Sequence, residues 1–410
     1  MLERYRWLAA AIAFCGLLSP SVLLGAPSDT WAMWQGDAGH TGYQPDTLLF
    51  PQRTFAWSES AQPLAITGLA ASGTMVFTTD TAAYQTTGST ALAAQAMADG
   101  HGVWSISFPS GTAISAPAYS DGKVFVVESI QAGAAPGSRF LDAFDAASGA
   151  AVYRVPLAPA GIMLDSPTIS GGHVYFESSA LSDPFPSNAT NTFGSVSAAT
   201  GALEWQSQST QGDGTMPTVF GGRIFGYTTQ LNVFDGATGT AISSIANPLD
   251  AADLSSGRCP TVLGTAAYGI QGGRVVAFDL VAGAVAWTRD GNALGQIATD
   301  GQYLFHLSAG ALAVRDASTG TLQWGWEAPQ SGPVNSGALT DNLIVTRSHV
   351  ILTDGIKTYF IDRTTHLPVG SYAVAGLIAY AGDKLIIADA QGIVTTIHLP
   401  SDELFSNSFE

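Results

Sequence analysis

One phrase recurs along this chain at a nearly constant interval. Phe144-Asp145-Ala146-Ala147-Ser148-Gly149 is followed, four residues after its glycine, by Tyr153. Related copies are Val196 to Gly201 with Trp205, Phe234 to Gly239, Phe278 to Gly283 with Trp287, and Arg315 to Gly320 with Trp324. Ala94 to Gly100 with Trp104 is a diverged first copy, and Ile361 to His366 is a worn last one. Equivalent positions fall at 96, 145, 197, 235, 279, 316 and 362, a mean interval of about 44 residues, the period of four-stranded propeller blades. A unit repeated at this period cannot bury its apolar face alone and must stack on its neighbours.

Each unit has the same grammar. A small-residue strand such as Ser166-Pro167-Thr168-Ile169 leads into a tight turn such as Gly171-Gly172. An alternating, β-rich strand such as His173-Val174-Tyr175-Phe176 follows. The third strand enters the phrase, and the fourth leaves it carrying the aromatic. Residues 376–399 supply only three strands, whereas Thr54-Phe55-Ala56-Trp57-Ser58 is an unmatched strand at the other end. The expectation is an all-β, eight-bladed β-propeller of four-stranded antiparallel blades. The N-terminal strand joins the last blade and closes the ring, which protects edges that would otherwise pair with other chains. Residues 54–400 at this period make nearly eight units, where seven would need about 50 residues each.

Every residue of the phrase has a structural use. Its Asp accepts hydrogen bonds from the turn backbone, its Ser or Thr adds another, and its Gly permits a left-handed conformation. The aromatic residues Trp57, Trp104, Tyr153, Trp205, Trp287 and Trp324 are expected to dock between neighbouring blades.

The totals exclude several classes. Hydrophobic residues make up 46% of the chain and charged residues 11%, enough for a large core. Acidic residues outnumber basic ones by 32 to 15, and no basic cluster exists, so nucleic acid is not an expected partner. Arg4 and Arg6 precede the apolar stretch Trp7 to Leu18, and Leu24-Gly25-Ala26 offers small residues for cleavage. Residues 1–26 therefore read as a signal peptide, 27–53 as a lead-in segment, 54–400 as the propeller, and 401–410 as an acidic-aromatic tail. An exported protein, periplasmic or secreted, is expected, not membrane-spanning after cleavage and monomeric. Cys259 is the sole cysteine after the leader, so no intrachain disulfide is available.

The phrase resembles the tryptophan-docking repeat of pyrroloquinoline-quinone-like (PQQ-like) β-propellers. Trp31-Ala32-Met33-Trp34-Gln35-Gly36-Asp37-Ala38-Gly39-His40-Thr41-Gly42 is similar to the lead-in of exported members. The likeness covers nearly all of residues 31–400 and implies the fold; the repeat is shared by dehydrogenases and by non-catalytic scaffolds. Quinone-dependent members hold calcium against PQQ with Glu, Asn and Asp, and many carry adjacent cysteines. This chain has no adjacent cysteine pair, and that carboxylate set has no matching positions. The family also includes a propeller lipoprotein of the outer-membrane assembly machine. Phe14 ahead of Cys15 does not suit lipidation, so that role is not carried over. The tail, Asp402 to Glu410, resembles an ending found on many secreted proteobacterial proteins, with Ser408 where a Gly is usual.

No catalytic, cofactor or metal residues are assigned. The seven His residues are scattered, with no metal-ligand spacing, and His40 reads as a capping or packing residue. Neither a Gly-x-Ser-x-Gly elbow nor a phosphate-binding glycine loop occurs. The remaining functional surface is shape. Blades one to three have long connections between second and third strands, about Thr78 to Ala94, Gln131 to Arg139 and Ala180 to Phe193. They belong on one rim, and Pro184, Phe185 and Pro186 form an apolar tip suited to contact. The inner strands begin with Asp165, Thr215, Arg258, Gln296 and Asn335; of these Asp165, Arg258, Gln296 and Asn335 are candidate channel-mouth binding residues. The expected role is a non-catalytic scaffold that binds an envelope or extracellular protein, or a small ligand, through loops of one face. The alternative is a quinone- or metal-dependent periplasmic oxidoreductase using PQQ with calcium.

Overall fold

Strands with apolar residues on both faces, broken by glycine turns, fold each repeat into an antiparallel meander. In the computed structural model the described residues are 29–80, 90–132, 135–158, 165–179, 191–209, 216–227, 230–247, 259–289, 291–329 and 342–401. Blades 1 to 7 span 66–107, 112–157, 168–209, 218–246, 261–289, 293–327 and 344–372. Blade 8 takes three strands from 377–398 and its outermost strand, Thr54–Ser60, from the other end of the chain. That strand runs antiparallel to Ile393–His398 with Trp57 opposite Thr396. Inner strands of successive blades touch all the way round, including Ile66–Ala71 against Leu377–Ala381. The ring is therefore closed, with eight blades, as the repeat period and the unmatched strand require.

The core lies between blades. In Lys123–Ala132, Val124 and Val126 pack towards Phe77 and Leu92 of blade 1. Phe125 and Val127 pack towards Val174 and Phe176 of blade 3. A register shift recurs where the phrase begins, between Ala94 and Gln95, Ala143 and Phe144, Ser195 and Val196, and at the matching points of blades 4 to 7. Such a bulge bends the outer strand and increases its twist.

The phrase forms its turn by the bonds its residues allow. Asp235 Oδ1 accepts from Thr238 N and Oγ1 at 2.9 and 2.8 Å, and Gly239 N donates to Asp235 O at 2.8 Å. The hydroxyl and amide donors hold Asp145, Asp235 and Asp316 below the usual carboxylate range. Each aromatic reaches the next blade. Trp57 Nε1 donates to Met97 O, Trp104 Nε1 to Ala146 O, Trp205 Nε1 to Gly236 O and Trp287 Nε1 to Ala317 O, all within 2.9–3.1 Å. Tyr153 OH donates to Ala198 O at 3.2 Å. Trp324 stacks on His366, the residue in the worn phrase that stands where Gly is usual, with ring centroids 4.3 Å apart. Elsewhere the ring lies flat on the next blade's glycine: a Cβ on Gly239 would sit 2.2 Å from Trp205. Glycine is thus needed twice, for its positive φ and for the close approach of the ring.

One expected loop is a strand. Residues 131–139 largely continue Lys123–Ala132 and Ala135–Asp145, with Ser138 opposite Ile130 and Arg139 opposite Ser129. An extra inner piece, Thr112–Ile114, pairs with Glu128 to Ile130 and supplies the extension with hydrogen-bond partners. The other two long connections, 81–89 and 180–190, lie outside the described residues, as do Pro184, Phe185 and Pro186. The sole described helix is the single 3-10 turn Phe50–Gln52, and no described helix is long and apolar enough to cross a membrane.

Candidate functional site

The inner strands leave one edge unpaired towards the axis, and their N–H groups need acceptors. The lead-in supplies them. Trp31 exchanges two backbone bonds with Ala71 of blade 1. The carbonyls of Ala32, Ala38, Gly39, Thr41 and Gly42 then accept from Tyr119, Val219, Val262, Thr299 and Val345, of blades 2, 4, 5, 6 and 7. Tyr43–Gln44 finishes as a short parallel strand beside Ile344–Thr346, and Leu48 bridges to Ser401 beyond blade 8. The segment is thus wound inside the ring in blade order.

Its side chains fill the axis. Trp34 packs with Met216 and Cys259, on the approaches to blades 4 and 5, and with Leu377 of blade 8, on the opposite side of the ring. His40 bridges blades 3 and 4: Nδ1 lies 2.7 Å from Trp34 O, and Nε2 lies 3.2 Å from Pro217 O and 3.3 Å from Thr168 Oγ1. Desolvation holds its imidazole below the usual range and pushes the adjacent Asp37 carboxyl up. Asp37 in turn caps Thr41 through both its N–H and its hydroxyl.

A second set of polar bonds ties inner strands to one another. Thr168 Oγ1 donates to Pro217 O, Thr218 Oγ1 to Pro260 O, and Thr261 Oγ1 to Ile297 O, at 2.6, 2.6 and 2.9 Å. The signal was present in the sequence as a Pro-Thr pair in blades 3, 4 and 5, at 167–168, 217–218 and 260–261. Gln296 belongs to this ladder. It is buried, its Nε2 donates to Cys259 O and Thr261 Oγ1, and its Oε1 accepts from the Cys259 thiol at 3.4 Å. Its amide is therefore committed to blade 5. Asp165 is half-buried just ahead of Thr168–Ser170, whereas Thr215, Arg258 and Asn335 lie outside the described residues.

The extended hairpin of blade 2 carries a charged cluster that spacing alone did not reveal. Glu128 and Asp142 are buried on its blade-1 side, and Arg154 bridges them at 2.5 and 3.6 Å while lying 3.8 Å over the Phe140 ring. Burial, then the bond and charge of Glu128, push the Asp142 carboxyl up to about 7 against the pull of Arg154. One guanidinium thus bridges two buried carboxyls, and Asp142 keeps its proton to near neutrality.

The family model described as outer membrane protein assembly factor BamB, a PQQ-type repeat family, matches residues 137–355, more than half of the chain. The chain belongs to this PQQ-like propeller family. Three solved structures share its fold. BamB from Moraxella catarrhalis has a TM-score of 0.60 at 17% identity, covering 84% of this chain and 97% of that one. A europium-containing methanol dehydrogenase has a TM-score of 0.64 at 11% identity, covering 87% and 89%. The computationally designed Ika8 protein has a TM-score of 0.63 at 15% identity, covering 84% and 99%. At these identities the likeness is one of fold. No curated protein sequence matches the chain.

PQQ-like propellers that are dehydrogenases raise the question of a quinone and its metal. Among the described residues no three His, Cys, Asp or Glu side chains are grouped to hold a metal. Trp34 fills the axis at the level of Met216, Cys259 and Leu377, and the amide of Gln296 is already paired. Trp34 and Gln296 are thus taken up by contacts within the protein.

Proposed function

We propose that this chain is an exported, non-catalytic scaffold that captures an envelope or extracellular protein. Capture takes place on the face where the second and third strands of blades 1 to 3 are joined. The observation that carries this reading is the blade 2 hairpin. Its strands are 10 and 11 residues long, against five to seven for the second and third strands of the other blades. Its neighbours carry insertions at the same joint, between Asp80 and Ala91 in blade 1 and between Ser179 and Asn191 in blade 3. Three adjacent build-ups on one rim favour a binding wall over scattered loop variation. The family supports a scaffold role, and the name of its assembly-factor member points to protein partners in the envelope. The leader residues 1–26 support export, and the tail 402–410 is a candidate sorting signal.

The test is affinity capture from the native envelope fraction with the intact chain and with residues 182–190 deleted. The deletion is expected to leave thermal unfolding unchanged and to reduce recovery of the captured protein. Undiminished capture would sink the assignment of the wall. Titration with PQQ and calcium checks the enzyme alternative; a saturable spectral change with dye reduction would replace the scaffold reading.

A further inference from the structure

At the seam between blades 5 and 6, two cations stand at repeat positions where the other blades carry none. The residue just before the phrase's Asp, or before Ser197 in blade 3, is Phe144, Val196, Phe234, Phe278 and Ile361 in blades 2, 3, 4, 5 and 7, but Arg315 in blade 6. Two residues after the docking aromatic stand Ile106, Val155, Ser207 and Trp326 in blades 1, 2, 3 and 6 and Glu59 in the strand of Trp57; only blade 5 has a cation there, Arg289. Both arginines converge on one turn. Arg315 Nη1 donates to Gly320 O at 3.0 Å, and Arg289 Nη2 donates to Thr319 O, the preceding carbonyl.

Neutral partners hold both guanidiniums in place. Arg315 Nε donates to His306 Nε2 at 3.1 Å, while His306 Nδ1 lies 3.2 Å from Leu307 O and donates to it. Burial holds His306 down at about 4, so it stays uncharged and able to accept. Arg289 lies over the Trp287 ring, 5.5 Å from its centroid. The nearby Asp316 carboxylate is taken up by the N–H and hydroxyl groups of Ser318 and Thr319. Among the described residues neither arginine is paired with a carboxylate, although acidic residues outnumber basic ones by 32 to 15. Partial burial, then the charge of Arg289, hold Arg315 below the ordinary arginine value. Two like charges fixed on consecutive carbonyls repel each other, and an anion between them relieves that repulsion. Both side chains are only partly buried, so the seam is reachable from solvent.

We infer that the Arg289–Arg315 seam is an oxyanion-binding site. Its ligand is a carboxylate or phosphate group gripped by two guanidiniums that neutral side chains have pre-oriented. The site lies apart from the wall of blades 1 to 3. Calorimetric titrations of the full chain at constant ionic strength, against inorganic phosphate and against a short oligoglutamate peptide, test it. Saturable binding of either probe that weakens about tenfold in Arg289→Gln supports the site and names the source of its anion, that factor being the loss of one charge-assisted contact. Arg289 is a partly exposed residue of the outer strand Ala284–Arg289, and the thermal unfolding midpoint of this variant, read alongside, separates lost binding from lost folding; Arg315→Lys, which retains charge but loses the fork, should weaken binding too. No saturable binding of either probe, or binding unchanged in Arg289→Gln, overturns the inference.

Discussion

Gly239 and Gly283 offer a controlled test of blade docking. Both close the same turn with nearly the same backbone, φ +68° and +64°. They differ in what faces them. A Cβ on Gly239 would meet the Trp205 ring at 2.2 Å, whereas one on Gly283 meets nothing within 4 Å. The reason lies in the sequence: the outer strand of blade 4, Ala241–Ala246, carries no aromatic to dock on blade 5. Gly283→Ala therefore incurs only the left-handed strain of an L-residue, about 1–2 kcal/mol. Gly239→Ala incurs that strain and forces the indole aside, adding about 1–3 kcal/mol of overpacking. Trp205→Ala alone should cost about 3 kcal/mol, the low end for a tryptophan because its ring is partly exposed. In the Trp205→Ala background, Gly239→Ala should fall back to the cost of Gly283→Ala. Unfolding entropy of about 2.1 cal/mol/K per residue over residues 54–400 makes each kcal/mol worth about 1.4 °C. Midpoints from calorimetry should thus drop by about 1–3 °C for Gly283→Ala and about 3–7 °C for Gly239→Ala. Equal drops for the two glycines, or additive losses in the double variant, would refute ring-on-glycine docking.

Two further outcomes follow from the axis and from blade 2. Gly39→Ala would place a Cβ 2.6 Å from Val262 O, in backbone that cannot swing away; it should destabilise by about 1–3 kcal/mol, read as a lowered unfolding midpoint, and an unchanged midpoint would show the lead-in is not wedged in the ring. Asp142 holds its proton up to about pH 7 when folded but has an ordinary value of 3.8. The folded chain binds a proton the unfolded chain has released, so this stabilisation is full below about pH 4 and lost as the pH rises through about 7. Asp142→Asn should flatten the fall in unfolding midpoint between pH 4.5 and 8, and a slope equal to that of the parent chain would exclude a raised Asp142 carboxyl.

How much was legible depends on where the information is carried. Turn and strand signals belong to side chains, so the blades, their number and the strand around Trp57 could be read from the repeat. The lead-in could not, because it binds the ring through the carbonyls of Ala32, Ala38, Gly39, Thr41 and Gly42, which every residue type possesses. Gln296 looked like a channel-mouth residue from its place at the start of a strand, yet its amide is paired with Cys259 and Thr261 of the neighbouring blade. Residues 131–139 read as a loop because the hairpin they lengthen is propped by an inner piece outside the usual unit, Thr112–Ile114 beside Glu128 to Ile130. Arg315 was visible as a departure from an apolar position and Arg289 as the one cation at its own, but their convergence on one turn required two blades to be set side by side.

By itself, the sequence determined the period, the eight blades, the closure and the chemistry of each turn, since all of these rest on local patterns repeated often enough to be unambiguous. Tertiary structure decided the rest: which blade each tryptophan docks upon, what fills the axis, and which charges meet at a seam. Those contacts join residues tens to hundreds of positions apart, and ring closure alone brings them together.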